Sequence, residues 1–383
     1  MRILHLYSDW KWTGPAEPAL QACRGLQDNG HEVLVAYRQA QHDVGEDVGM
    51  KIAEMGLNGT TRFALDRYLH PAGTLHDLFT LPQFMRRGEF DIVHTHLCHD
   101  HMLGGLCARL LGRRRPRIVR SLHRRDVLRP TLGYRLQLGR LCDGCLTFTE
   151  SFRGEYVRRF GLAPERTAVM PMTVDLERFQ PGRPVRDMRV EFGIDAAAPV
   201  IGIVGRFQRY RRMETFLEAA RRVLQEVPET RFLVIGRSSK INETVVEPSR
   251  HLGIQDQVIL TGYRIEDYVD VLACLDLFTL LMPGFDGTAR AVREALALAK
   301  PCVVSDFGML PEIVIDGETG LVVPDRDAAA LAEAWLQLIR DPERRHRLGA
   351  RARADAESRF DLARVGPCLE TFYQRLLELP LSQ

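Results

Sequence analysis

No stretch of this sequence approaches the ~20 apolar residues that a membrane-spanning helix needs. The apolar run at the N-terminus, Ile3 to Tyr7, is too short for a signal peptide and reads as a first strand. A cytoplasmic protein is expected, attached at most to the inner face of a membrane. A disulfide framework is also missing: the eight cysteines are scattered among apolar residues, as free thiols in a reducing compartment would be. Cys142-Asp-Gly-Cys145 has the C-x-x-C spacing but no second pair to complete a zinc site, so a structural role is expected. The full glycine fingerprint of a dinucleotide site is lacking too. Gly202 and Gly205 give only G-x-x-G, and apolar Phe232 to Ile235 stand where an acidic ribose partner would fall.

What is present suits a globular chain of two or three domains: 383 residues, 45% apolar and 27% charged. The net charge of +2 hides an uneven distribution. Residues 1–190 carry 28 Lys and Arg against 21 Asp and Glu, and the remainder carries 24 against 29. Most of the basic excess lies in 109–140, with eleven Arg and one acid, Asp126. Such a block attracts anionic lipid or phosphorylated saccharide, or is a solvated face; nucleic acid is not an expected partner.

Strand and helix patterns alternate along the whole chain, the signature of α/β units with parallel sheets. The first series runs from a strand at 3–7 and a helix from Ala16 to Gln27, closed by Asn29-Gly30, to a strand from Glu32 to Tyr37. Residues 40–90 hold a strand and two short helices, and strands follow at 91–96 and 117–122. His94, His96, His99 and His101 crowd into eight residues. They split between a strand and the start of a helix with no clear carboxylate partner, so no metal is expected. Residues 180–198, rich in Pro and Gly, read as a linker. A second series opens with the strand Val200 to Val204 and the loop Gly205-Arg206-Phe-Gln-Arg-Tyr-Arg211-Arg212. Several guanidinium groups in a loop at a strand's carboxyl end suit a diphosphate, because Arg grips phosphate in a bidentate fork.

The stretch from Gly284 to Ser305 organises the second half. A turn around Pro283, Gly284 and Gly287 leads into an Ala- and Leu-rich helix, stopped at Lys300-Pro301 before a buried strand. Asp286 and Glu294 lie eight positions apart, about 12 Å along a helix. That is too far to share a proton or a metal, but suits the two ends of one polyhydroxylated ligand, with the helix N-terminus between them for anionic groups.

These residues resemble the E-x7-E segment of the retaining family 4 glycosyltransferases, with Asp286 in place of the first Glu. Other stretches resemble that family in the same order: Asp91 to His96, Ser121-Leu122-His123, Pro171 to Phe179, Gly205 to Arg212, and Asp306 to Pro324. The departures are Pro15 after Gly14, Met172-Thr173 for Asn-Gly, Arg211 for Lys, Arg212 for Gly and Met309 for Gly. The resemblance implies a GT-B fold, two Rossmann-like doubly wound parallel-sheet domains with a cleft between them. Residues 1–185 would bind the acceptor and 186–359 the nucleotide-sugar, with a terminal helix in 360–383 crossing back. It implies that Arg206 and Arg211 hold the leaving diphosphate, helped by Gly205 and by backbone amides of Gly287, Thr288 and Ala289. Glu294 would accept ribose hydroxyls, Asp286 would bind donor-sugar hydroxyls, His123 would stand near the reacting sugar, and Gly14 would line the sugar or acceptor site. No cofactor or metal is implied; the donor is a nucleotide-diphosphate sugar and the acceptor a glycan or a lipid-linked glycan. A step in bacterial cell-surface polysaccharide or lipopolysaccharide assembly follows, with peripheral contact to anionic membrane through 109–140. An epimerase or phosphorylase on the same fold, and a non-catalytic nucleotide- or glycan-binding module, are the alternatives.

Overall fold

The computed structural model describes residues 1–40, 47–68, 70–183, 185–284 and 289–382. The chain forms two compact units, Met1–Thr173 with Leu362–Gln383, and Val174–Asp361. Each is an α/β unit around one parallel sheet.

In the first unit the strands are β1 Arg2–Tyr7, β2 Glu32–Tyr37, β3 Asn58–Thr60, β4 Ile92–Thr95, β5 Arg117–Ser121, β6 Gly144–Thr147 and β7 Thr167–Val169. Their order is β3-β2-β1-β4-β5-β6-β7. Strand order therefore reverses between β1 and β4, paired in register as His5 with His94. In doubly wound sheets ligands bind at the carboxyl ends of the strands at that switch point. Both faces are covered by helices, so β1 and β4 are buried almost throughout and read as continuous rather than alternating apolar runs.

Residues 40–90 depart from expectation. The helix Pro71–Gly88 is 18 residues long and carries Pro82 inside it, a residue whose missing N–H argues against a long helix. Asp77, inside that helix, accepts the backbone N–H groups of Ala64 and Leu65 and so ties the preceding loop down.

The helix Val365–Glu378 packs on Ala16–Asp28 so closely that a Cβ at Gly366 would lie 2.2 Å from the Gly25 carbonyl oxygen. The tail beyond it is held by buried charge. Asp143 takes Arg115 (Nη2, 2.9 Å), the Ile118 N–H (2.9 Å) and the Ser382 N–H (3.0 Å), while Arg166 reaches the Pro380 carbonyl (2.6 Å). The Arg-rich block thus splits. Arg115, Arg117 and Arg120 are buried and structural, and Arg113, Arg114, Arg124, Arg129, Arg135 and Arg140 are exposed.

The second unit repeats the plan with β8 Val200–Val204, β9 Arg231–Ile235, β10 Val258–Gly262, β11 Leu277–Leu280, β12 Cys302–Ser305 and β13 Gly320–Val323. The order β10-β9-β8-β11-β12-β13 puts its switch point between β8 and β11. Phe216, Phe232 and Trp335 form the centre of its core in edge and tilted contacts, with the indole N–H donating to Thr279 Oγ1 at 2.9 Å. The change of unit falls ahead of the stretch read as linker. Residues 174–179 are already tied to the second unit, through Val174 N–H to the Phe360 carbonyl and Arg353 to the carbonyls of Leu176 and Phe179. Among the described residues no helix is long and apolar enough to cross a membrane.

Candidate functional site at two sheet edges

In the second unit the site begins where β8 ends. The Gly205 N–H donates to the Ile235 carbonyl at 3.0 Å. Its own carbonyl lies so near Gly236 that a Cβ there would come within 2.1 Å, at a φ of +137° that only glycine adopts easily. Backbone alone can fill this crossing of β8 and β9. Arg206 follows, exposed, and its side chain makes no hydrogen bond or ion pair among the described residues. Arg211 turns back over Gly205 and bridges the switch point, donating from Nη1 to the Met282 carbonyl (2.7 Å) and from Nε to the Arg206 carbonyl (3.2 Å).

Arg212 occupies a left-handed conformation (φ +61°), which explains why glycine suits this position in the resembling family. Its bulk does not lie on the loop. The guanidinium forms a bidentate pair with Asp325, both contacts at 3.0 Å, and is buried there. Two residues on, Asp327 caps the helix Ala328–Arg340 through the Ala329 and Ala330 N–H groups. Met309 sits in an ordinary right-handed conformation, so a glycine is not required there. Gly320 is required, since a Cβ would fall 1.9 Å from the Cys302 carbonyl oxygen.

Across the switch point the helix Arg290–Ala297 starts from Ala289, itself left-handed at φ +45°. Asp286, Gly287 and Thr288 lie outside the described residues. Glu294 is only 3% exposed, with one oxygen accepting from the Tyr268 hydroxyl (2.7 Å) and the other from Arg290 Nε (2.6 Å). A carboxylate offers about four acceptor positions, so two partners fix its orientation and leave acceptor capacity over. Burial, then the charge of Glu294, push the Tyr268 phenol well above its usual range and keep it a donor. Neither partner is legible from spacing, although Arg290 stands one turn before Glu294. The helix ends in a Schellman motif, with Lys300 N–H to the Ala295 carbonyl and Ala299 N–H to that of Leu296. Alanine holds the left-handed position, at φ +56°.

In the first unit Gly14 lies in the turn after β1, closed by the Ala16 N–H on the Thr13 carbonyl (2.8 Å). Pro15 follows in the helical region and leads the helix Ala16–Asp28. Asp100 ties the ends of β1 and β4 together, accepting the N–H groups of Ser8 (3.1 Å) and Leu97 (2.8 Å). Burial pushes its carboxyl up to about 7, against those hydrogen bonds.

His123, 6% exposed, lies two residues past the end of β5 beside Phe148 and meets His96 at 3.1 Å, and His96 meets His5 at 3.0 Å. His94 stacks on His96 and is satisfied by the Tyr373 hydroxyl (2.7 Å) and Ser121 Oγ (2.8 Å). His101 turns away to Thr95 and Gln137. The histidines that converge are therefore His5 on β1, His94 on β4, His96 just past β4 and His123 just past β5, rather than the run at 94–101. His5, His94 and His96 offer ring nitrogens within 4.8 Å of one another. His5 Nδ1 and His96 Nε2 face each other at 3.0 Å, a hydrogen-bond distance. Burial drives His5 and His123 down to about 3, with the Arg120 charge adding to the effect at His123, so the rings are neutral.

Residues 185–355 match the model of the glycosyl transferases group 1, and 14–178 match that of glycosyltransferase family 4. N-acetyl-alpha-D-glucosaminyl L-malate synthase of Bacillus anthracis is 23% identical over 87% of this chain and 93% of its own. The UDP-Gal:alpha-D-GlcNAc-diphosphoundecaprenol alpha-1,3-galactosyltransferase of Escherichia coli is 23% identical over 70% of this chain and 71% of its own. Anabaena HepE, solved in complex with UDP, shares the fold with a TM-score of 0.79 at 18% identity, over 98% of this chain and 100% of its own.

Proposed function

Because the chain belongs to the family 4, group 1 glycosyltransferases, we propose that it moves a sugar, with retention, from a nucleotide-diphosphate donor to a saccharide or lipid-linked acceptor. The observation that carries this is the edge of the second sheet. Arg206, unpartnered among the described residues, and the bridging Arg211 follow β8 at the β8/β11 switch point, the glycine crossing of 205 and 236 flanks them on the β9 side, and an oriented carboxylate, Glu294, stands on the helix after β11.

Arg206 and Arg211 counter the charge that grows on the diphosphate as the glycosidic bond breaks. The amide groups around Ala289, at the start of an eight-residue helix, add to that preorganised field. In this reading Asp286 takes donor-sugar hydroxyls, and the backbone amides of Gly287 and Thr288 help to hold the diphosphate. Glu294 accepts ribose hydroxyls while Tyr268 and Arg290 hold it. Gly14 and His123, at the edge of the first sheet, serve the acceptor and the reacting sugar. UDP in HepE and the galactosyl donor named for the Escherichia coli relative make uridine nucleotides the first donors to try. That relative's diphosphoundecaprenol acceptor supports a lipid-linked glycan and a place in cell-surface polysaccharide assembly. The six exposed arginines of 113–140, beside exposed Leu110 and Leu132, support peripheral contact with an anionic membrane.

A panel of nucleotide-sugars, assayed for nucleotide release with and without lipid-linked and free saccharide acceptors, tests the reading. Release that depends on acceptor supports it. Donor conversion without acceptor points to an epimerase, dependence on free phosphate to a phosphorylase, and binding without turnover to a non-catalytic module.

A further inference from the structure

Two buried ring nitrogens in the first unit, His5 Nε2 and His123 Nδ1, have no hydrogen-bond partner among the described residues. Each belongs to the end ring of a row of three. His5 Nδ1 meets His96 Nε2 at 3.0 Å and His96 Nδ1 meets His123 Nε2 at 3.1 Å. The ring centroids are 5.2 and 5.4 Å apart. Those separations are close to the greatest that two imidazoles can have at such nitrogen distances, so both contacts run edge to edge and in line. They are N–H···N hydrogen bonds, and their direction is linked.

A neutral imidazole owns one N–H and one lone pair. If His96 donates from Nδ1 to His123, its Nε2 must accept from His5; if it donates from Nε2, its Nδ1 must accept from His123. The row therefore has two neutral arrangements, all Nδ1–H or all Nε2–H. Either leaves one donor unpaired, at opposite ends. With all rings Nε2–H the unpaired N–H is that of His5, fully buried on β1 between β2 and β4, while His94 beside it already has both nitrogens engaged. With all rings Nδ1–H the unpaired N–H is that of His123, at the carboxyl edge of the sheet where a ligand can accept it. Buried N–H groups left permanently unpaired are rare in folded proteins. The second arrangement avoids a permanent one, because a bound ligand can accept the His123 N–H, and burial keeps the rings from taking a second proton.

We propose that His123 presents a ring N–H, at Nδ1, to an oxygen of the bound sugar substrate, and that His96 and His5 are positioning residues that fix this tautomer. The inference rests on the transferase reading above and adds to it a stated chemistry. His123 is a neutral donor rather than a general base, and the substrate group it meets is an oxygen with a free lone pair, such as a hydroxyl, rather than an ammonium group.

Nitrogen-15 NMR of the full chain with labelled histidine reads the tautomers without any turnover. The expected result is Nδ1–H for His5, His96 and His123. An Nε2–H tautomer or a cationic ring at His123 overturns the proposal. His5→Phe, which removes the inner end and touches no substrate, should move His123 to a mixture of tautomers and lower kcat roughly tenfold, the scale of one hydrogen bond, with the donor KM unchanged. His5→Gln, whose side-chain amide can donate to His96 Nε2, should restore both readouts. If His5→Phe shifts neither tautomer nor kcat, or if His5→Gln fails to rescue while keeping the fold, the positioning role is wrong. Loss of the tautomer signature with Arg206 still essential for turnover sinks this inference alone. A turnover indifferent to Arg206 sinks the donor-site reading and leaves the tautomer measurement standing.

Discussion

Replacing Arg206 by alanine separates binding chemistry from fold more cleanly than any other change at the site. The side chain is exposed and has no protein partner among the described residues, so its loss should alter stability by no more than about 0.5 kcal/mol. Against a diphosphate, a guanidinium fork makes two charge-assisted hydrogen bonds, each worth about 1.5–3 kcal/mol. Solvent screening at an exposed position argues for the lower end. About 3 kcal/mol in total corresponds to a fall of roughly 10²-fold in kcat/KM. Arg206→Lys keeps the charge but not the fork and should recover part of the loss. Arg211→Ala makes the informative contrast. It also removes the bridge to the Met282 carbonyl, so stability should fall along with activity. The assay is nucleotide release under steady state, beside a denaturation curve for each variant. Should Arg206→Ala keep kcat/KM within about threefold of wild type, diphosphate binding by this loop is refuted.

Three further outcomes follow from other parts of the molecule. Ala299→Gly should stabilise the second unit, because an alanine at φ +56° gives up roughly 1–2 kcal/mol and glycine's extra unfolded freedom returns only part of that. The net is about 1 kcal/mol, a rise of ~2–4 °C in Tm; an unchanged or lower Tm contradicts the cap geometry. Asp143 carries an acid-side effect on the first unit. Burial alone would raise its carboxyl, but bonds and charge from Arg115, with the Ile118 N–H, overturn that and hold it at about 2. The folded value lies below the unfolded one of about 3.9, so about 2 kcal/mol of stability is present above pH ~4 and lost as pH falls towards ~2. Denaturation curves of wild type between those limits should show that slope and Asp143→Asn should not; equal slopes refute it. Tyr268→Phe removes one hydrogen bond from the buried Glu294 carboxylate and should raise the donor KM roughly tenfold with little change in kcat. An unchanged KM would mean that Glu294 is not oriented for the donor.

Much of the fold was legible because strands buried on both faces leave short apolar runs. Val200 to Val204 and Arg231 to Ile235 run as the pattern indicates. Pro82 hid the long helix, since a proline inside a helix contradicts the usual stop signal while the packed face around Leu81 and Met85 overrides it. Charge density misled at the Arg-rich block, where Arg115, Arg117 and Arg120 point inward to Asp143, to tail carbonyls and to Gln137. Spacing alone does not tell a solvated arginine from one clasping a distant segment. The histidines show the same limit in another form. The crowding at 94–101 is a feature of sequence, whereas the row of His5, His96 and His123 exists only because the sheet sets β1, β4 and β5 side by side. Arg212 is the reverse case: the residue looks wrong for its loop until Asp325, far along the chain, is seen to hold it.

A structure of the full chain with a bound nucleoside diphosphate tests the central claim most directly. The account predicts the diphosphate against the guanidinium groups of Arg206 and Arg211, beside the Gly205–Gly236 crossing, with the ribose hydroxyls on Glu294. A nucleotide bound elsewhere, or one that leaves Arg206 in solvent and Glu294 touching only Tyr268 and Arg290, contradicts it.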